Sequence, residues 1–176
     1  MIKVAVSGVH SSGKSTEVFR LANRYKIDFP NKRVGVLQEN IVDCPLPINE
    51  STEVMSQYWL VCDQITKEIE FSKKYDILVC DRSVFDPICY CIAVAKFPGN
   101  EFKKFELLKA SQFLYKFLSS FGDTYDEIFL MNTPKICIED GLRSVNLEFR
   151  DIVKEQFDML FERLLKEKIV KKVTKI

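Results

Sequence analysis

The chain alternates short apolar runs with longer segments in which apolar residues recur three and four positions apart. Lys3–Ser7 is the first apolar run and reads as a strand, with Lys14–Tyr25 as the helix behind it. Arg33–Leu37 repeats the strand signal and ends at Gln38-Glu39. Residues 40–49, which include Pro45 and Pro47, read as a loop. A long helix is predicted from Asn49 or Ser51 to Lys73, since Asn49-Glu-Ser-Thr and Ser51-Thr-Glu-Val both suit a helix entry. Asp76–Cys80 is the third strand, closed by Asp81. Asp86-Pro87 opens a helix to Lys96, because proline is tolerated in a first turn, and Phe97-Pro-Gly-Asn100 breaks it. A further amphipathic helix covers Phe102–Phe121, and Tyr125–Met131 is the fourth strand. The charged stretch 133–144 reads as a loop or short helix and is a candidate lid, extending to about residue 146. Leu147–Lys166 is the last long helix, with Phe149, Ile152, Val153, Phe157, Leu160, Phe161 and Leu164 near helical spacing. Residues 168–176 alternate lysine with β-branched residues and read as an edge strand.

Five strands separated by helices imply one three-layer α/β/α domain around a five-stranded parallel sheet. In such a sheet the ligand sits beyond the carboxyl ends of the strands. Gly8, Glu39 and Asp81 all fall there.

Composition narrows the partners more than the chemistry. A length of 176 residues with 47% hydrophobic content fits one domain with a full core. The 26 basic residues nearly balance the 25 acidic ones, so no global field recruits nucleic acid or an anionic membrane. No apolar run approaches the roughly 18 residues of a spanning helix. A strand leads straight from the N-terminus into a loop, so no signal segment is expected and cytoplasm is the default location. The cysteines at 44, 62, 80, 89, 91 and 137 form no C-x-x-C pair, and His10 is the single histidine. Buried free thiols are therefore expected in place of zinc or disulfides.

The chemistry is concentrated after the first strand. Gly8-Val-His-Ser-Ser-Gly13-Lys14-Ser15-Thr16 fits G-x-x-x-x-G-K-[ST] in the strand–loop–helix setting this motif requires. Gly8 and Gly13 let the backbone curl, so that N–H groups of Val9, His10, Ser11 and Ser12 and the helix start face phosphate oxygens. Lys14 is expected on the β- and γ-phosphates, Ser15 on Mg²⁺, and Thr16 beside it. A nucleoside triphosphate with Mg²⁺ is thus the expected ligand. Cys80-Asp81-Arg82-Ser83 supplies an acid to hold Mg²⁺, directly or through water, and an arginine to offset phosphate charge.

Gly8–Thr16, Glu39, Gln57 and Asp81-Arg82-Ser83 together resemble the phosphate-loop nucleoside and nucleotide kinases. Ser56-Gln57-Tyr58 with Asp81-Arg-Ser-Val-Phe85 is similar to the deoxynucleoside kinases, although Asn40 follows Glu39 where those usually carry proline. Asp81-Arg-Ser-Val-Phe-Asp86-Pro-Ile-Cys-Tyr90 and Glu139-Asp-Gly-Leu-Arg143 are closer to the ribosylnicotinamide-kinase-like ATPases. The resemblance implies transfer of the ATP γ-phosphoryl group to a small acceptor, with Lys14, Glu39, Asp81, Arg82 and Arg143 catalytic. Glu39 is expected to take the proton of a sugar hydroxyl. Gln57 has both a donor and an acceptor for the edge of a base or nicotinamide. Tyr58, Trp59, Phe85 and Tyr90 are candidates for stacking on a planar ring. Arg143, Arg150 and Lys135 lie where related kinases carry a lid, and guanidinium groups there would offset charge on the transferred group.

Three functions follow from these residues. The first is a kinase for a nucleoside-like hydroxyl, on a deoxynucleoside or a ribosylnicotinamide. The second is a nucleoside-monophosphate kinase resembling thymidylate kinases, which also carry Asp-Arg after the third strand. The third is a regulatory phosphate-loop ATPase, although the N-K-x-D signal of guanine-reading switches is missing. The sequence leaves the acceptor and the oligomeric state open, with a homodimer through the long helices as one expectation.

Overall fold

The computed structural model describes residues 1–39, 41–99, 101–120, 125–131 and 144–176. Its elements run β1 (Ile2–Gly8), α1 (Lys14–Asp28), β2 (Val34–Leu37), α2 (Val54–Ser72), β3 (Ile77–Asp81) and α3 (Asp86–Lys96). They continue as α4 (Glu101–Ser119), β4 (Glu127–Met131), α5 (Leu147–Lys166) and β5 (Val173–Lys175). Two 3-10 turns, Ile41–Asp43 and Asn49–Ser51, occupy the link between β2 and α2. The strands form one sheet in the order β2-β3-β1-β4-β5, and each pairing is parallel.

Alternation along the central strands divides the core between two faces. Val4 and Val6 of β1 join Val79 and meet Val18, Leu21 and Ala22 of α1. Ala5 points the other way, into a larger cluster fed by α2, α3, α4 and α5. Helix α3 lies at the middle of that layer, packed on α2, α4 and α5. Ile88, Cys89, Cys91, Ala93 and Val94 are at most 1% exposed, which explains why its sequence is apolar nearly all round.

Helix α2 and the edge strand differ most from the sequence reading. Helix α2 starts at Val54, because Glu53 and Ser56 cap each other's backbone in a reciprocal box. Asn49 and Ser51, the expected entries, belong to the preceding 3-10 turn. The edge strand shrinks to Val173–Lys175, because Lys168 turns at φ 58° and Ile169 N–H bonds back to the Leu164 carbonyl at 2.9 Å. Those residues close α5 and cannot also pair with β4. Among the described cysteines all five are free thiols, and only Cys80, Cys89 and Cys91 are buried; Cys44 is half-buried and Cys62 exposed. No helix among the described residues is long and apolar enough to cross a membrane.

The end of β1 carries a tight constraint. Gly8 has φ 141°, and a Cβ built there would stand 3.0 Å from both the Cβ and the carbonyl oxygen of Met131 on β4. Gly8→Ala is expected to lower unfolding stability by about 1–3 kcal/mol through backbone strain plus this contact. An unchanged urea midpoint would show that β1 and β4 can separate at no cost.

Candidate active site

The carboxyl ends of β1, β2 and β3 sit side by side, so the residues leaving them converge. After β1 the chain turns through Ser11 at φ 58° and Gly13 at φ 84° before α1 begins at Lys14. The left-handed Gly13 lets the first N–H groups of α1 open onto the cup. Lys14 is only 5% exposed, and its ammonium donates to the Val9 carbonyl at 2.9 Å. Burial, then the nearby Arg82, lower its pKa to about 8, although Glu39, Asp81 and Asp86 pull the other way.

The end of β3 supplies the opposing charge. Asp81 Oδ2 accepts from Ser15 Oγ at 2.6 Å, while Asp81 Oδ1 is buried with no hydrogen-bond partner. Burial pushes the Asp81 pKa up against the hydrogen bond from Ser15. An orphaned carboxylate oxygen beside a hydroxyl is a pair of hard donors, which suits Mg²⁺ completed by phosphate and water. Among the described residues no three His, Cys, Asp or Glu side chains gather into a metal cluster.

Arg82 is the hub. Its backbone sits at φ 85°, a conformation L side chains rarely adopt. Its Nε donates to Glu39 Oε1, and its Nη1 donates to the Gly8 carbonyl at 3.3 Å and to Asp86 Oδ2 at 3.2 Å. Its Nη2 reaches the Tyr90 hydroxyl at 3.5 Å. Burial opposes the guanidinium charge, but Glu39, Tyr90 and Asp86 outweigh it and hold the pKa well above the ordinary value. Asp86 is itself fixed, its Oδ1 accepting from Ser7 Oγ at 2.7 Å and Ser83 Oγ at 2.6 Å.

Three adjoining cavities open here. One, of about 380 Å³, is lined by Ser11, Ser12, Gly13, Lys14, Ser15, Thr16 and Glu39. A second, of about 780 Å³, bridges His10, Lys14 and Ser15 to Glu39, Asp81 and Arg82. The third, a narrow one, runs from Glu39, Asp81 and Arg82 to Ile48, Gln57, Leu60, Gln64 and Tyr90. Among the described residues Glu39 lines all three.

The structure therefore brings Lys14, Ser15, Glu39, Asp81, Arg82, Gln57 and Tyr90 together. His10 is buried beside them, its Nδ1 3.4 Å from the Tyr90 hydroxyl. Val9 is core, contributing its carbonyl to Lys14. Gln57 is 3% exposed, its Nε2 donating to Thr52 Oγ1 at 2.6 Å and its Oε1 buried without a partner. Two expected ring-stacking residues are corrected. Phe85 is wholly buried edge-on against Tyr125, and Tyr58 packs on Phe113 away from every cavity named above. Tyr58 on α2 and Phe85 in the turn before α3 both face hydrophobic neighbours, which a one-dimensional pattern does not reveal. Trp59 and Arg150 are half-buried and line none of these cavities. Lys135 and Arg143 lie outside the described residues, as does most of the candidate lid; of its end, Ser144 hydrogen-bonds Glu50. Sequence reasoning missed Asp86, which it took only as a helix opener, and the polar Gln64 on the buried face of α2.

No family model matches the chain, and no curated protein matches it by sequence. Solved structures do. A thymidylate kinase from Candida albicans superposes at TM-score 0.71 with 14% identity, over 99% of this chain and 83% of that one. Deoxyadenosine kinase from M. mycoides with bound dATP gives TM-score 0.66 at 12% identity, over 98% and 91%. Thymidylate kinase from Ehrlichia chaffeensis gives 0.65 at 14%, over 99% and 86%. The chain has the fold of the phosphate-loop nucleoside and nucleotide kinases. The five-stranded parallel sheet expected from sequence is the sheet observed.

Lys14 sets a pH dependence. A bound polyphosphate restores the charged ammonium, so binding takes up a proton wherever Lys14 is otherwise neutral. Affinity for a non-hydrolysable ATP analogue should hold below pH 8 and weaken as pH rises through the Lys14 value of about 8. The limiting slope is about tenfold per pH unit, one proton per site. Titrations from neutral to alkaline pH check this, and Lys14→Met should flatten the profile.

Proposed function

We propose that the protein is an ATP-dependent kinase that phosphorylates a hydroxyl of a nucleoside-like acceptor, a deoxynucleoside or a ribosylnicotinamide. The observation that carries this reading is the position of Glu39, the carboxylate at which the loop-lined cup meets the inner cavity. In the proposed reaction the triphosphate lies along residues 8–16, with Lys14 on its β- and γ-phosphates. Ser15 and Asp81 would hold Mg²⁺, which when bound neutralises charge on those phosphates. Glu39 accepts the hydroxyl proton as the acceptor oxygen forms its bond to the γ-phosphorus and the bond to ADP breaks. Arg82, fixed between Glu39 and Asp86, faces the same point and steadies the charge on the transferred group.

The inner cavity supports a neutral acceptor. Among the described residues its only cation is Arg82, set against the carboxylates of Glu39, Asp81 and Asp86. A monophosphate entering there would meet more negative than positive charge. Apolar Ile41, Ile48, Leu60 and Pro87 suit a flat ring, and the Gln57 carbonyl oxygen needs a donor from its edge. The monophosphate-kinase reading keeps one supporting observation, the similarity to thymidylate kinases, and it requires cations from beyond the described residues.

Mass spectrometry after incubation with MgATP and a pool of nucleosides, nucleotides and nicotinamide riboside tests the choice. Phosphorylated nucleosides are expected; products from monophosphates alone would establish the second reading. Glu39→Gln should cost about a hundredfold or more in kcat, the usual scale for a general base, with ATP affinity retained. Normal turnover in that variant would remove Glu39 from the mechanism.

A further inference from the structure

Behind the site lies a buried charge that no step above uses. Glu68 on α2 is 5% exposed and accepts three hydrogen bonds. Lys3 Nζ donates to its Oε2 at 2.7 Å, while Gln64 Nε2 at 2.9 Å and the Tyr125 hydroxyl at 2.5 Å share its Oε1. Lys3 also stands 4.8 Å over the Tyr125 ring.

Two of these donors hold backbone as well. Gln64 Nε2 donates a second bond to the Arg82 carbonyl at 3.3 Å. The Tyr125 hydroxyl accepts from Val84 N–H at 2.9 Å. One carboxylate oxygen thus anchors the two side chains that grip the chain on either side of Ser83. Between them Arg82 is held at positive φ, a strain that persists only where the surroundings over-determine it. Besides this grip, the Arg82 N–H bond to the Val6 carbonyl at 3.0 Å fixes the start of the turn, and Ser83 N–H donates to Asp86 Oδ1 at 3.2 Å at its exit.

We propose that Glu68 is a positioning residue for Arg82, acting through Gln64 and Tyr125 to fix the turn that aims the guanidinium at Glu39 and the transferred group. The carboxylate is required because both oxygens accept from donors; an amide would turn its NH₂ group against Lys3, or against Gln64 and Tyr125. Small displacements of a charge-stabilising group cost rate far more than they cost ground-state binding. The phosphate loop lies on the other flank of Arg82 and meets this network through the long bond from Arg82 Nη1 to the Gly8 carbonyl at 3.3 Å. For its catalytic readout the inference rests on the kinase reading.

The test uses Glu68→Gln and Tyr125→Phe, the latter leaving the Lys3–Glu68 pair intact should the former fail to fold. In each, kcat should fall by about tenfold or more, the scale of a lost buried hydrogen bond, while KM for ATP moves by less than about twofold. In an Arg82→Lys background the same changes should cause little further loss, because the coupled effect is already gone. A merely structural Glu68 would lower the unfolding temperature and leave kcat per folded molecule intact. Losses that add fully to that of Arg82→Lys would likewise overturn the proposal. A readout independent of turnover is the NMR resonance of Arg82 Nε–H, assigned by its loss in Arg82→Lys. It should shift in both variants, and an unmoved resonance overturns the positioning role. If the wild-type protein phosphorylates no acceptor, the kinase reading fails while this resonance still decides the positioning.

Discussion

The chemistry of this fold depends on how sharply the chain turns as it leaves a parallel strand. Parallel pairing puts the exits of β1, β2 and β3 at one edge, but an exit that ran straight on would carry its side chains away from that edge. Gly8 at φ 141° and Arg82 at φ 85° bend the two central exits instead. The first bend wraps residues 9–13 into a cup against α1, and the second points a guanidinium back across the end of β1. The Gly8 carbonyl accepts from Arg82 Nη1, so each bend braces the other. Glycine solves the first position sterically, whereas Arg82 is held there by the hydrogen bonds around it.

These bends crowd charge that burial makes costly. Lys14 and Arg82 face Glu39, Asp81 and Asp86 in a region closed from solvent on most sides. The two cations respond in opposite directions. Lys14 donates to a neutral carbonyl and is lowered by desolvation, whereas Arg82 touches two carboxylates and is raised. The contrast separates their roles. Arg82 is a fixed part of the framework, already paired. The Lys14 charge is held less firmly, and an anion placed beside it would strengthen that charge, which suits the ligand role proposed for it.

The order of elements was legible because each strand is a short apolar run and each helix a longer periodic one, and tertiary packing did not override either signal. The cup was legible because its spacing has a backbone reason. What escaped was whatever depends on which way a side chain leaves its turn or helix. Phe85 follows Arg82-Ser83-Val84 and looked like a ring-stacking residue, yet it points under the sheet to Tyr125. Tyr58 adjoins Gln57 but leaves α2 toward Phe113, on the far side from the cavity. Asp86 was hidden by its neighbour, since Asp-Pro marks a helix start whether or not the carboxylate has partners. The polar residues Gln57, Gln64 and Glu68 were a usable signal: all three occupy the stripe that α2 buries, where an unpartnered polar group is expensive.

That stripe makes the cavity wall and the support of Arg82 inseparable in α2. Gln57, Leu60, Gln64 and Glu68 follow one another at three- and four-residue steps and so lie along a single line on the helix. The first three line the inner cavity, and Gln64 and Glu68 form the anchorage beneath Arg82. A rotation of α2 that widened the cavity for a larger ring would also pull Gln64 from the Arg82 carbonyl. Pocket size and guanidinium aim are therefore coupled by helix geometry alone. Exchanging Ile41 or Ile48, which line the cavity from the link between β2 and α2, would reshape it from the opposite side.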